Sequence, residues 1–194
     1  MIGRLDRQAS REDRTAAIVD AAWALARTEG IGGLTLRGLA RELGISQPSL
    51  YEYFASKHAL YDAMFADGNR RLAEHLDAQR LPSDPRRAVQ RFMRAFVDFT
   101  LEDDARLQLL FQRPIPGFAP SPASYATAAA VLDRAVALLA EAGLEDPADV
   151  DCFVAMVGGV VAAQSSNDPG GTRWTRHLDR LVDLYLDNPR RSSR

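Results

Sequence analysis

Apolar residues recur along this chain with the period of a helix. In 11–29, Ile18, Ala22, Leu25 and Ala26 fall at i, i+4, i+7 and i+8, one apolar stripe. Gly30 predicts the end of that helix, because glycine tolerates the positive φ of a helix stop. Thr35 predicts a cap for a helix over 36–43, Gly44 its end, and Ser46 the cap of a short helix over 47–53. Pro48 is harmless in that first turn, where its missing N–H has no partner to lose. Ser56 caps a longer predicted helix, 57–79.

Three further starts share one signal, a capping residue followed by proline: Asp84-Pro85, Ser121-Pro122 and Asp146-Pro147. They open predicted helices over 85–101, 122–142 and 147–166, with a short helix over 103–111. The run 113–120 carries three prolines and reads as a rigid loop. A last helix over 172–187 places Trp174, Leu178, Leu181, Val182 and Tyr185 at helical spacing. No run alternates between apolar and polar residues with a period of two, so no strand is predicted. The fold class is all-α, with about nine helices.

The segment 35–53 has a more specific shape: helix, tight turn with glycine, short helix. That is the helix-turn-helix pattern, which puts the start of its second helix into the major groove of DNA. Leu36, Leu39, Ala40 and Leu43 pack the first helix, and Ile45 and Leu50 close the turn. Gln47, Ser49, Tyr51 and Tyr53 are left to project. Gln47 can bond an adenine edge with two hydrogen bonds, whereas Ser49 is less selective.

Residues 11–65 resemble the N-terminal domain of the tetracycline-repressor (TetR) family of bacterial transcription regulators. The matching stretches are 18–22, 34–40, 44–46 and 49–60, the last reading Ser49-Leu50-Tyr51-Glu52-Tyr53-Phe54-Ala55-Ser56-Lys57-His58-Ala59-Leu60. Two positions depart from the family: Gly38, where a better helix former is usual, and Tyr53, where histidine is common. The resemblance implies a three-helix DNA-binding head over 1–56 and a larger helical body over 57–188 that binds an effector and dimerises. A polar tail, 189–194, is expected to be disordered. The resemblance implies that Thr35 and Tyr51 donate hydroxyls to phosphate and that Lys57 meets phosphate at the start of its helix. Arg37, Ser46, Gln47, Pro48, Ser49 and Tyr53 complete the expected DNA-contacting set. Arg4, Arg7, Arg11 and Arg14 form either an arm on the DNA backbone or a solvated face diluted by Asp6, Glu12 and Asp13.

A reader of two-fold DNA sites is itself a two-fold dimer. Small residues at Ala155, Gly159, Ala162 and Ser166 form a stripe that lets helix backbones approach closely, either across a dimer or within one subunit. Leu178, Leu181, Val182 and Tyr185 complete the expected dimer surface, a four-helix bundle with their symmetry mates. A ligand pocket is expected among Phe65, Phe92, Phe96, Phe99 and Phe111, with His75, Gln108, Tyr125 and Gln164 as its polar groups. An ordinary aromatic core is the competing use of these rings. The expected effector is a small, apolar or weakly polar molecule.

Composition changes this picture little. The 194 residues carry 24 basic and 26 acidic side chains, a net charge of −2. Residues 1–60 are net +1 and residues 61–194 net −3, too small a difference to identify a partner. All the basic residues except Lys57 are arginines. The single cysteine, Cys152, excludes an intrachain disulfide and a multi-cysteine zinc site, and its helix predicts a small buried side chain, or less readily a thiol sensor. His58, His75 and His177 lack zinc-motif spacing, and no nucleophile elbow or phosphate-binding glycine loop is present. Acidic residues at 103–104 and 145–151 sit at helix starts, where the macrodipole favours them. No stretch of about 20 continuous apolar residues suggests a membrane span, and the N-terminus lacks an apolar leader.

The sequence therefore reads as a cytoplasmic, ligand-responsive homodimeric regulator of transcription. It is expected to bind palindromic double-stranded operator DNA, needing no cofactor or metal, with repression implied by the resemblance alone. The alternative is an all-helical small-molecule enzyme or carrier with a non-essential head.

Overall fold

The computed structural model describes residues 10–187. Arg4, Arg7 and the expected tail 189–194 lie outside them. The described residues hold nine α-helices and no strand. They are α1 (Arg11–Glu29), α2 (Leu36–Leu43), α3 (Gln47–Tyr51), α4 (Lys57–Asp77), α5 (Pro85–Leu101), α6 (Asp104–Leu107), α7 (Pro122–Glu141), α8 (Pro147–Asn167) and α9 (Leu178–Leu186).

Capping chemistry sets most of these boundaries. Ser10 accepts from the Asp13 amide at 3.1 Å, while the Asp13 carboxylate accepts from the Ser10 amide and hydroxyl. These bonds hold the Asp13 carboxyl below its ordinary value. Asp84 and Asp146 cap α5 and α8 just before their prolines.

Two of the predicted helices change type along their length. The helix beginning near 103 is α only to Leu107, then widens into a π turn over Gln108–Gln112. Arg113 follows at φ 47°, in the left-handed region that ends the helix. The last helix starts later than expected: Trp174 precedes a 3₁₀ turn, Thr175–His177, and α9 begins at Leu178. Gln164 explains this. Its Oε1 accepts from the Trp174 and Thr175 amides at 2.9 and 3.3 Å, and its Nε2 donates to the Asp168 backbone and carboxylate.

The chain forms two compact units. The first comprises residues up to 70 together with 103–128. The expected boundary at 56/57 therefore falls inside it. Its core joins Ile18, Ala22 and Trp23 of α1, Leu39 of α2, Leu50 of α3 and Leu60, Tyr61 and Met64 of α4. Ala105, Leu109, Ile115 and Phe118 pack on the same core, so the stretch 103–118 is part of the head's own packing. Arg27 at the end of α1 pairs with Asp103, the α6 cap, at 2.7 Å.

The second unit comprises 71–102 and the residues from 129 onward. Phe92, Val97, Leu139, Phe153, Leu178 and Val182 form its interior. Arg94 of α5 pairs with Asp179 of α9 at 2.9 Å, and Gln90 with Asp183 at 2.8 Å. Arg86 reaches both Asp183 and Asp187. Partners spaced four residues apart on each helix make this ladder, which the apolar pattern alone did not reveal.

Two expectations are corrected here. Cys152 is exposed, not buried. α7 and α8 are 20 and 21 residues, each with an 18-residue stretch of mean hydropathy 1.3, long and apolar enough to cross a membrane by length and composition. Counting only unbroken apolar runs missed them, because Ala and Val outweigh the few charges each helix carries. One face of α8 nevertheless belongs to the core of the second unit, through Val150, Phe153, Val157, Val160 and Val161. A core helix of this kind passes the same length and hydropathy test.

Candidate nucleic-acid interface

The nine residues expected to meet DNA lie on one short stretch of the first unit. Thr35 caps α2, its Oγ1 accepting from the Gly38 amide at 3.0 Å. Gly44 sits at φ 65°, with its amide on the Arg41 carbonyl and the Ile45 amide on the Ala40 carbonyl. That paired closure turns the chain sharply from α2 into α3. Ser46 then caps α3, accepting from the Ser49 amide at 3.2 Å, with the two hydroxyls 2.7 Å apart.

The turn leaves the start of α3 facing outward. Thr35, Arg37, Ser46, Gln47 and Pro48 are exposed, Ser49 is half-buried, and Tyr51 is 46% exposed. Leu50 is fully buried and anchors the helix to the core. α3 ends at Tyr51, two residues before the expected limit, because the Tyr53 and Phe54 amides both turn back to the Leu50 carbonyl at 3.0 Å.

Two expected contacts have additional partners. Tyr53 does not project freely. It is half-buried against the head core, with the Arg11 guanidinium 5.4 Å from its ring centre. Lys57 is half-buried, with Nζ donating to the Gly32 carbonyl at 3.2 Å and lying 5.2 Å from the Tyr61 ring centre. Tyr61 is itself fixed by donating to the Ile31 carbonyl at 2.7 Å. Lys57 thus joins the α1–α2 loop to the start of α4. The contacts of Arg11 with Tyr53 and of Lys57 with Gly32 and Tyr61 are ones that spacing alone did not assign.

The expected ligand-facing residues divide between the two units. In the first, Phe65 is buried and stacks near Tyr125, with ring centres 6.5 Å apart and planes at 11°. Tyr125 and Phe111 are 52% and 42% exposed, and Gln108 is half-buried within the π turn. In the second, Phe92 and Phe99 are buried, whereas His75 and Phe96 are half-buried. His75 lies 5.3 Å from Phe99, and the Arg134 guanidinium 5.3 Å from Phe92. Phe65, Phe92 and Phe99 therefore serve the interior. Gln164 has both ends of its amide committed to the turn before α9 and does not present a free polar group. Among the described residues, no group of three or more His, Cys, Asp or Glu is placed to hold a metal ion.

The expected dimer residues also divide. Ala155, Gly159, Ala162 and Ser166 are all exposed, and a Cβ added at Gly158 or Gly159 would meet no atom within 4 Å. The small stripe therefore faces outward rather than into its own subunit. Leu178 and Val182 are corrected: both are fully buried against the chain's own interior. Leu181 is half-buried, and Tyr185 donates to the Asp149 carbonyl at 2.7 Å. The exposed apolar residue of α9 is Leu184, at 60%.

Comparison with known proteins places this geometry. Residues 18–64 match the family described as bacterial regulatory proteins, tetR family. A tetracycline repressor protein of class D from Escherichia coli is 46% identical over 61 residues, covering 31% of this chain and 27% of that protein. The transcriptional repressor DrrR1 of Streptomyces coeruleorubidus is 32% identical over 154 residues, 77% of this chain and 52% of the repressor. These matches span about half or less of the relatives' own lengths. A solved structure of a protein of unknown function from Rhodococcus sp. RHA1 has the same fold, with TM-score 0.74 and 23% identity over 94% of this chain and 97% of that one.

Proposed function

We propose that this chain, which belongs to the TetR family of bacterial transcription regulators through its N-terminal helices, is a dimeric repressor released from a palindromic operator by a small apolar molecule. The observation that supports it most is the outward start of α3. Gln47, Pro48 and Tyr51 are exposed on a helix whose Leu50 is fully buried. The side chains there can enter a groove while the anchor stays in the core.

The roles follow from the chemistry. Gln47 reads a base edge, and Ser49 adds a less selective hydroxyl. Thr35, Tyr51 and Lys57 meet phosphates, which set register without reading sequence. Arg37 adds a cation on the exposed side of α2. The small stripe of α8 meets its symmetry mate, with Leu181 beside it. The effector binds against the half-buried His75 and Phe96. Relatives named as repressors, one of them for tetracycline, support release by a small molecule. α4 carries Lys57 in its first turn and His75 in its last, so one helix bears a DNA contact and an effector contact. An effector acts only through differential affinity for two arrangements of that helix, with a typical coupling of about 1–3 kcal/mol. By linkage, operator DNA weakens effector binding by the same factor.

The test is a pair of substitutions, Lys57→Ala and Gln47→Ala, measured by duplex binding across a salt series. Lys57→Ala is expected to weaken all sequences alike and to flatten log K against log salt by roughly 2 units for a dimer. Gln47→Ala is expected to alter the preferred half-site, costing about 1–3 kcal/mol at one base pair. Unchanged affinity and slope in Lys57→Ala would overturn the assignment of this face.

A further inference from the structure

Arg11 has a role that neither a DNA arm nor a solvated face describes. It is the first residue of α1, where the Ser10–Asp13 capping box holds the backbone. Its Nη2 donates to the Glu52 carbonyl at 2.8 Å, 41 residues away. The same guanidinium lies 5.4 Å from the Tyr53 ring centre. One side chain therefore holds both residues that follow α3.

Those residues need holding. α3 has only five residues, Gln47–Tyr51, far below the length at which a helix sustains itself in water. Its N-terminal end is secured by Ser46, and its middle by Leu50. Past its C-terminal end, the Leu50 carbonyl accepts two amides, from Tyr53 and Phe54. The carbonyls that follow form the partially negative end of the helix, where a cation is favoured. Arg11 supplies that cation together with a directed hydrogen bond. Its flat face also suits an aromatic ring better than an ammonium does.

We infer that Arg11 is a positioning residue for DNA reading: it clamps the end of α3 through Glu52 and Tyr53, fixing the angle at which Gln47 and Tyr51 are presented. This inference rests on the proposed DNA-binding role of α3. A phosphate contact by the same guanidinium is the rival account. The two differ in salt dependence, because a phosphate contact releases counterions and a clamp within the protein does not.

The experiment uses full-length protein, a duplex enriched from a randomised pool by the wild type, and the variants Arg11→Ala and Arg11→Gln. Binding is measured over a salt series, and backbone amide exchange is followed in the peptide 46–56 of the free protein. A clamp predicts about tenfold weaker duplex binding in Arg11→Ala with an unchanged salt slope, and faster exchange in 46–56 without DNA. Arg11→Gln, which keeps an N–H donor and perturbs folding less, shows the same changes to a smaller extent. A salt slope reduced by roughly 2, or exchange in 46–56 equal to wild type in both variants, would overturn the clamp. If the wild type enriches no duplex, the DNA-binding reading fails, and the exchange measurement still decides whether Arg11 holds α3.

Discussion

Gly38 shows how a single residue can look like a defect in the sequence and not in the structure. Glycine inside a helix costs about 1 kcal/mol relative to alanine, so α2 should gain from Gly38→Ala. An added Cβ would stand 2.9 Å from Thr35 Oγ1, the oxygen that caps α2 by accepting from the Gly38 amide. The hydroxyl must swing away, and loss of an N-cap costs about 1 kcal/mol. The two terms nearly cancel in stability. They do not cancel in function, because the displaced hydroxyl is the proposed phosphate donor. Gly38→Ala is therefore expected to melt close to wild type while binding duplex several-fold more weakly. A thermal melt and a binding isotherm on the same sample check this. A variant equal to wild type in both would detach Thr35 from DNA binding.

At the scale of elements, the caps in the sequence located the starts of α2, α3, α4, α5, α7 and α8 because each depends on a local hydrogen bond or a proline. The long-range polar braces left no such mark. Asp62 of α4 accepts from the Ser121 amide at 2.7 Å, the Ser124 hydroxyl at 2.8 Å and the Ser121 hydroxyl at 2.9 Å, tying α4 to the start of α7 within the first unit. Burial pushes the Asp62 carboxyl up, but these three bonds outweigh it and hold it below its ordinary value. A carboxyl lowered in the folded state stabilises above its unfolded value of 3.8, and that contribution is lost as pH falls through the folded value. Asp62→Asn is expected to cost about 2 kcal/mol at pH 7, with the gap to wild type closing below about pH 4. Urea denaturation at pH 7 and pH 3 measures it, and a gap independent of pH would contradict the charged brace. The late start of α9 was hidden for the same reason: the Gln164 amide reaches 10 residues ahead to Trp174, and no periodicity marks that contact. Arg11 was visible as a cation near the N-terminus, but its partner at Glu52 is fixed only by the core that α1, α2 and α3 share.

At the scale of the whole molecule, the proposed reading of a two-fold operator needs two copies of the chain. The outward start of α3 could be read from the sequence because a helix-turn-helix is a local pattern. The residues expected at a dimer surface divided, because apolar periodicity cannot say which neighbour covers a face: Leu178 and Val182 are buried in the chain's own interior, while the Gly159 stripe is exposed. Open space around Gly159 means that Gly159→Leu leaves its own fold intact and obstructs only a partner. Overpacking costs about 1–3 kcal/mol and counts twice across a two-fold axis. Sedimentation at micromolar concentration is expected to give a folded monomer for this variant and a dimer for wild type. The most direct test of the central claim is the sequence of duplexes that the wild-type protein enriches from a randomised pool. A dimeric reader enriches a two-fold repeated motif whose half-sites are centred one helical turn, ~34–36 Å, apart, and Gly159→Leu loses that preference. An enriched motif without two-fold symmetry, or no enrichment at all, would contradict that claim.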